Sequence, residues 1–484
     1  MRDKVTSIAE AMATVQSGDT VCTSGFVRIS VPDALLKGLE ERFLKTGEPR
    51  DLTLVFAAGQ GDGKDRGLNA LGHEGLLKRA VGGHWGLVPK VARLATEGKI
   101  EAYNLPQGII SHLYRDIAAG KPGTLSHVGF GTFVDPRLEG GKINASTSED
   151  LVRVLHIDGR EWLLYKSFPI QVALLRGTTA DPNGNVTAER EALDLDNLAM
   201  AMAVKNSGGI VIVQVERVAR SGSLNPRQVL IPGALVDCVV VSPSDLHRQT
   251  YATAYNPAFS GEISVAPHAA APMILDQRKI IARRCALELR AGAIVNLGIG
   301  MPEGVAAVAA EEIVSELFTL TAEPGVIGGV PAAGLDFGAA INTDAIIHQN
   351  QQFDFYDGGG LDVAVLGMAE VDVKGNVNVS RFGAKLAGAG GFINISQNAR
   401  KLIFAGTFTT GKLVVRVDDG GVHIEKDGQA SKFIEAVQQI TFSGSIAAAE
   451  DKSVIYVTER CVFRLTSGQL ELIEVAPGID IRSR

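Results

Sequence analysis

The feature that most constrains the fold is a recurring pattern: a short β-branched run, then a cluster of glycines, often followed by a helical segment. It appears in "DLTLVFAAGQGDG" (51–63), "GAIVNLGIGMP" (292–302) and "FTLTAEPGVIGG" (318–329). A helical pattern, "MPEGVAAVAAEEIVSEL" (301–317), follows the second cluster. The alternation predicts an α/β fold with mainly parallel sheets and Gly-rich ligand loops at the carboxyl ends of the strands.

Two pairs of segments resemble each other in the same order. "SGDTVCTSGFVRISVPDAL" (17–35) has the same plan as "AGAIVNLGIGMPEGVAAV" (291–308). "TTADPNGNVTAE" (178–189) shares a Gly-Asn-Val hairpin tip with "AEVDVKGNVNVS" (369–380). The two matches together predict two related open α/β domains, with insertions in the first.

A stretch rich in Pro, Ala and Gly separates these two regions. We predict an N-terminal domain over residues 1–256, a linker over 257–275, and a C-terminal domain over 276–484 that opens with a helix near Asp276. The cleft at the domain interface is the expected active site.

The bulk composition excludes several classes of protein. The formal net charge is −7 and no Lys/Arg block stands out, so nucleic acid is not an expected partner. The four cysteines lack CxxC spacing, which is typical of reduced thiols, and the nine scattered histidines form no metal motif. No secretory signal or membrane-length apolar run is visible, so we expect no membrane association and a cytoplasmic location.

The glycine loops fail the common nucleotide templates. "AGQGDGKDRG" (58–67) lacks the first Gly and the final Ser/Thr of a Walker A loop, and a dinucleotide motif starting at Gly59 meets Lys64 where it requires Gly. "GIGMPE" (298–303) and "GAGGFI" (388–393) also lack the last Gly. An NAD-dependent dehydrogenase or a kinase is therefore disfavoured. For each loop taken singly, plain turn glycines remain an alternative.

Glu323 stands between a predicted strand and a glycine loop. Pro324 biases Glu323 toward extended geometry, so the carboxylate is displayed at the end of a strand. There it could act as a nucleophile or a general base, and a helix cap or a Lys-paired loop carboxylate is the alternative. Gln107, between Pro106 and Gly108, is a neutral donor in a constrained turn that could stabilise an oxyanion.

Several short motifs together resemble one family. "TAEPGVIGGVPAAG", "NLGIGMPEG", "LGMAEVDVKGNVNVSRFG", "AGAGGF", "NLPQG", "GTLSHVGFGTFVDP" and "TTADPNGNV" look like the class I (glutamate-type) coenzyme A transferases. The chain is most similar to the single-chain acetate/propionate type, which is related to the succinyl-CoA:3-oxoacid type. The resemblance runs from about Val21 to Phe463. In some relatives the two halves are separate subunits.

The resemblance implies a mechanism and a set of residues. Glu323 would be the nucleophile, forming a glutamyl–acyl anhydride and then a glutamyl-CoA thioester in a ping-pong reaction. Gln107 and a glycine amide, assigned to Gly390, would stabilise the oxyanion. The CoA-binding residues implied by the family loops are Gly298, Gly300, Gly388, Gly391 and, against a CoA phosphate, Lys385.

The implied reaction moves CoA between a short-chain acyl-CoA and acetate or a similar short carboxylic or 3-oxo acid, as in short-chain fatty acid or ketone body metabolism. The partners are then acyl-CoA and short carboxylic acids, with no cofactor beyond coenzyme A as a substrate and no metal. The resemblance also implies a homodimer or homotetramer.

One departure concerns the catalytic loop, where some relatives have Ser-Glu-Asn-Gly and this chain has "AEPG" (322–325). It favours the broad short-chain type over the strict succinyl-CoA type. Four phenylalanines are candidates for the acyl pocket, with core packing as the favoured alternative for each: Phe26, Phe56, Phe130 and Phe133.

Two other functions stay open. An acyl-CoA hydrolase would use the same Glu and the same oxyanion loops but admit water. A non-catalytic CoA- or sugar-phosphate-sensing protein would need neither Glu323 nor Gln107.

Overall fold

The computed structural model describes residues 3–266, 272–418 and 420–480. Ten α-helices are found there: α1 Ile8–Ala13, α2 Asp33–Thr46, α3 Pro89–Thr96, α4 Gln107–Ala118, α5 Asn197–Asn206, α6 Gln277–Ala286, α7 Glu303–Glu311, α8 Gln349–Asp357, α9 Phe392–Asn398 and α10 Gly444–Ala449. We call residues 3–256 the N-terminal half and residues 276–480 the C-terminal half.

The N-terminal half is organised around a seven-stranded sheet whose neighbours all pair in parallel, in the order β14-β11-β8-β1-β2-β3-β4. Two smaller sheets, of three and four strands, flank it. The strands are β1 Thr20–Thr23, β2 Leu52–Phe56, β3 Leu77–Gly82, β4 Glu101–Asn104, β5 Gly123–Ser126, β6 Val152–Ile157, β7 Arg160–Lys166, β8 Val172–Arg176, β9 Thr179–Ala180, β10 Val186–Thr187, β11 Ile210–Val215, β12 Arg217–Val218, β13 Val229–Ile231 and β14 Cys238–Val241.

The C-terminal half contains a nine-stranded sheet in the order β20-β17-β16-β15-β21-β26-β32-β33-β34. Its five central strands are parallel, and the strands at both edges are antiparallel. The strands are β15 Ile294–Leu297, β16 Thr319–Ala322, β17 Val326–Ile327, β18 Val330–Pro331, β19 Ala340–Ile341, β20 Ala345–Ile346, β21 Val363–Gly367, β22 Glu370–Asp372, β23 Val377–Asn378, β24 Arg381–Phe382, β25 Lys385–Leu386, β26 Lys401–Ala405, β27 Thr409–Thr410, β28 Val414–Asp418, β29 Gly421–Lys426, β30 Ala430–Ser431, β31 Phe433–Ile434, β32 Ser453–Val457, β33 Cys461–Thr466 and β34 Gln469–Val475.

The central strands are apolar because both faces of each sheet are covered. All five residues of β2, "LTLVF", and all five of β8, "VALLR", are buried. Such continuous buried runs are typical of parallel strands between two layers of helices. The predicted α/β fold with mainly parallel sheets is thus confirmed. The helix expected near Asp276 is α6, since the Asp276 side chain accepts hydrogen bonds from the amides of Arg278 and Lys279.

The internal repeat is visible in the structure. β1 lies between β8 and β2, as β15 lies between β21 and β16, and a hairpin follows β8 and β21 alike. In the first hairpin Asp181 Oδ1 accepts from the amide of Asn185 at 3.0 Å, and in the second Asp372 Oδ1 accepts from the amide of Asn376 at 3.0 Å. The two halves are therefore related down to the hydrogen bonds of one turn.

The proposed domain limits stay a prediction, and part of the predicted linker (267–271) lies outside the described residues. No helix in the described part of the chain has the length and apolar character needed to cross a membrane. Within the same residues, no group of three or more His, Cys, Asp or Glu could hold a metal ion. All four cysteines are free thiols.

Candidate active site

One cavity of about 300 Å³ lies between the two halves. Most of its walls come from the carboxyl ends of β1, β2, β3 and β4 in the N-terminal half and of β15, β16 and β21 in the C-terminal half. These are the carboxyl ends of parallel strands, where open α/β sheets place their ligands. The cavity therefore lies where the repeated strand–glycine pattern predicts a binding site.

Glu323 directly follows β16 and points into this cavity. It is half-buried, and burial raises the pKa of its carboxyl to about 7, while a hydrogen bond from Gln107 opposes the rise. Among the described residues no cation takes part in this balance. A carboxylate kept for structure is normally paired when it leaves water, so an unpaired one facing a cavity is poised for chemistry.

Gln107 is the first residue of α4 and is buried, with its amide at the cavity wall. Pro106, in extended geometry at the start of the helix, turns the chain so that Gln107 faces the C-terminal half. The Gln107 backbone amide donates to Gly390 O at 2.9 Å, which ties the helix start to the glycine loop. A neutral donor is thereby placed beside Glu323.

The glycine loop 387–391 joins the two halves around the site. Trp85 N donates to Ala387 O at 2.7 Å, and Gly390 N donates to Gly83 O at 2.8 Å. Ala389 N donates to Asn104 Oδ1 at 3.0 Å. These bonds hold the loop of the C-terminal half against the ends of β3 and β4.

Gly391 allows the carboxylate of Glu323 to reach the loop. A Cβ atom added at Gly391 would lie 2.1 Å from Glu323 Oε2, closer than any real contact. At Gly390, whose φ is +54°, an added Cβ would lie 3.7 Å from Gln107 Oε1. The loop glycines thus leave room for the Glu323 carboxylate and the Gln107 side chain to lie close to the loop backbone. Because the Gly390 amide is already bonded to Gly83, its role as an oxyanion donor stays a prediction.

The cavity includes six of the eight predicted site residues: Glu323, Gln107, Gly298, Gly388, Gly390 and Gly391. Gly300 lies beyond the wall, in the turn before α7, with a φ of +87°. Lys385 is exposed on β25 and pairs with Phe382 of the neighbouring strand. The binding roles of these two residues stay predictions.

The four phenylalanine candidates divide between pocket and core. Phe26 lines the cavity and packs against Phe337, with ring centroids 5.7 Å apart. Phe56 packs edge-on against Trp85, and Phe133 is buried in the core. Phe130 lies beneath the guanidinium of Arg137. Core packing was the favoured alternative, and Phe26 alone of the four lies at the cavity.

His84 is a lining residue that sequence reasoning missed. Its Nδ1 atom is buried without a hydrogen-bond partner among the described residues, and burial lowers the pKa of the imidazole to about 4. An added Cβ at Gly59 would lie 2.5 Å from this atom, so Gly59 makes room for the ring. The signal was present as "VGGHWG" (81–86), a histidine among glycines at the end of a strand-like run.

Comparison with known proteins places this site in context. A sequence model of the family "Coenzyme A transferase" matches residues 5–242. The chain is 46% identical over 486 residues to the caffeate CoA-transferase of Acetobacterium woodii, covering 99% of this chain and 92% of the relative. It is 44% identical over 483 residues to the acetate CoA-transferase YdiF of Escherichia coli strain K12, covering 99% and 91%.

Among solved structures, the chain is similar to the acyl-CoA transferase YdiF of Escherichia coli O157:H7, crystallised as a thioester complex with CoA. The TM-score is 0.94 and the sequence identity is 43%, over 100% of this chain and 91% of the other. Fold and sequence therefore agree along the whole length of the chain.

Proposed function

The chain belongs to the class I coenzyme A transferase family, and we propose that it moves CoA between a short-chain acyl-CoA and a short carboxylate through covalent intermediates on Glu323. It is an enzyme of the CoA-transferase type, in keeping with its identity to relatives so named. The observation that carries the mechanism is the unpaired, half-buried Glu323 carboxylate beside Gln107 in a cavity between the halves.

The first half-reaction conserves the energy of the thioester. The Glu323 carboxylate attacks the acyl carbon, the oxyanion collapses, and CoA leaves as a thiolate, which produces a glutamyl–acyl anhydride. The thiolate then attacks the glutamyl carbonyl, releasing the first carboxylate and leaving a glutamyl-CoA thioester. An acceptor carboxylate reverses both steps. No proton is consumed, and the chemistry needs no cofactor beyond coenzyme A itself.

Gln107 supplies an N–H to the charge that develops on the acyl oxygen. The apolar wall formed by Phe26, Phe337 and Leu87 is suited to a short alkyl group. Broad use of short carboxylates fits both this wall and the "AEPG" loop. A cytoplasmic location and assembly as a homodimer or homotetramer stay part of the proposal.

Chemical trapping tests the nucleophile. The enzyme is mixed with acetyl-CoA without acceptor and treated with hydroxylamine or borohydride, and its peptides are weighed by mass spectrometry. We expect a mass change at Glu323. The Glu323→Ala variant is expected to lose both the label and the transfer activity. Glu323→Asp is expected to lose nearly all turnover, because a carboxylate one methylene shorter no longer reaches the acyl carbon.

A carboxylate outside the cavity lining provides the control. Glu303 begins α7, after the second glycine cluster, and Glu303→Gln should be labelled at Glu323 like the parent. Substantial transfer by Glu323→Ala would refute the mechanism.

The hydrolase alternative predicts a different product balance. Thioester loss from acetyl-CoA is measured with and without a carboxylate acceptor. A transferase consumes the thioester only as fast as the acceptor is converted, whereas a hydrolase needs no acceptor. A CoA-sensing protein would bind acetyl-CoA without forming the label.

A further inference from the structure

A chain of buried polar side chains lies behind Gln107, on the side away from the cavity. Gln107 Nε2 donates to Gln349 Oε1 at 3.1 Å, and Gln349 Nε2 donates to Asp196 Oδ2 at 2.6 Å. Ser111 Oγ donates to the other oxygen, Asp196 Oδ1, at 2.5 Å. All four residues are buried. Gln349 belongs to the C-terminal half and the others to the N-terminal half, so this series of hydrogen bonds crosses the interface twice.

The direction of these bonds follows from the carboxylate at their end. An ionised Asp196 can only accept, so the nitrogen of Gln349 must face it and the oxygen of Gln349 must face Gln107. That oxygen in turn requires the nitrogen of Gln107. The second N–H of Gln107 is then the group directed at Glu323. If the Gln107 amide were rotated by 180°, its oxygen would face two other acceptors, the oxygen of Gln349 and the carboxylate of Glu323.

Asp196 is not the helix cap that its position suggests. It precedes α5, where an aspartate commonly caps the helix, yet its side chain makes no capping hydrogen bond. Burial raises the pKa of Asp196, and the bonds from Ser111 and Gln349, with His112 and His348 nearby, oppose that rise. The partners of Asp196 therefore favour its charged, accepting form.

We propose that Asp196 and Gln349 are positioning residues that hold the Gln107 amide with its N–H toward the acyl oxygen on which negative charge develops. The proposal rests on the oxyanion role proposed for Gln107. Neither Asp196 nor Gln349 is among the described residues that line the cavity. They act on the transition state through Gln107 and leave the binding of acyl-CoA unchanged.

Removing the acceptor at Gln349 tests the positioning role. In Gln349→Met, a side chain of similar length replaces the amide, so no oxygen accepts from Gln107 Nε2 and the Gln107 amide is no longer held in one direction. We expect kcat to fall about 10- to 100-fold, within the range for loss of an oxyanion donor, while the KM for acetyl-CoA changes less than about twofold.

A charge exchange should restore the direction of the bonds. In the double variant Asp196→Asn with Gln349→Glu, the NH₂ group of the new amide donates to one oxygen of the new carboxylate. The other oxygen accepts from Gln107, as Gln349 does in the parent. We expect kcat to recover to within about threefold of the parent, a rescue that general packing damage would not show. Ser111→Ala, which touches the same Asp196 carboxylate but leaves its direction intact, serves as the control and should keep kcat within about threefold.

The outcomes separate this proposal from the one it rests on. Thermal unfolding of each variant shows whether it is folded, and Gln349→Leu replaces Gln349→Met as the test if the latter does not fold. Parental kcat in the folded variant at position 349, or no recovery in the double variant, overturns the positioning role. Gln107→Ala is the reference, with an expected loss of about 10²- to 10³-fold. Parental turnover in Gln107→Ala would instead refute the oxyanion role, whereas Glu323 would still be tested by trapping.

Discussion

At the residue scale, the carboxylate of Glu323 must be ionised to attack, yet its surroundings favour the protonated form. Burial raises its pKa from the usual 4.5 to about 7, with a hydrogen bond from Gln107 opposing the rise. In the proposed reaction, the same burial desolvates the attacking carboxylate and limits the access of water to the anhydride. Burial is therefore the cause of both the proposed reactivity of Glu323 and the free-energy cost of ionising its carboxyl in the folded protein.

We expect the pH dependence of kcat/KM to report this group. Below about pH 7 the carboxyl is protonated, so kcat/KM should fall about tenfold per pH unit, as read from initial rates with acetyl-CoA and a labelled acceptor. An acidic limb near pH 4.5 would show that burial does not control the group.

Stability should follow the same titration with the opposite sign. The raised pKa stabilises the folded protein below pH 4.5, and that contribution is lost as the pH rises through about 7. Glu323→Gln should therefore raise Tm relative to the parent more at pH 8 than at pH 5.

At the element scale, the glycine loop 387–391 makes two kinds of contact. Its backbone is hydrogen-bonded to the segment after β3, and Gly391 lies against the Glu323 carboxylate. Its sequence, "AGAGG", is too short to show which glycine faces which partner. The tertiary contacts decide this, since Gly390 bonds Gly83 whereas Gly391 packs on Glu323.

A methyl group added at Gly391 should show whether its contact with Glu323 matters for the reaction. Gly391→Ala would push the Glu323 carboxylate aside, and we expect labelling with acetyl-CoA and hydroxylamine to fall at least about 100-fold. Gly367→Ala, on the same cavity wall, meets nothing within 4 Å and has an ordinary φ, so it should stay within several-fold of the parent. Equal effects of the two substitutions would contradict the contact with Glu323.

The site residues that could be predicted were those with a local signal. Glu323 stands out because Pro324 and three glycines follow a strand, and Gln107 because Pro106 precedes it. Asp196 and Gln349 lie 153 positions apart, and the local sequence around neither residue indicates that their side chains are hydrogen-bonded. Lys385 was predicted from its position beside a glycine loop; the structure shows it exposed on β25, and its binding role stays a prediction.

At the scale of the whole molecule, the two halves depend on each other. Phe26 and Tyr251 of the N-terminal half pack with Val326 and Ala339 of the C-terminal half in one buried cluster. Near the middle of the predicted linker, Val265 N donates to Asn342 Oδ1 of the C-terminal half at 2.9 Å. The repeat in the sequence predicted two related α/β units, but it carried no information on these contacts, because the surfaces facing each other are not repeated.

Cleavage between the halves should leave the enzyme assembled. A protease site substituted for residues 267–271 is cut, and the product is examined by size-exclusion chromatography and transfer assay. We expect the fragments to elute together and to keep most of the activity of the uncut form, which is the control, because the contacts on either side of the cut are unchanged. Separation of the fragments without denaturant would contradict a stable interface.

The hydrogen bonds that join the glycine loop to Trp85, Asn104 and Gly83 have a consequence for how substrates enter the cavity. If the halves swung apart to admit a ligand, these bonds would break and Gln107 would move away from Glu323. We therefore expect the pantetheine arm to enter without separation of the halves, so that turnover depends little on solvent viscosity up to the limit set by diffusion.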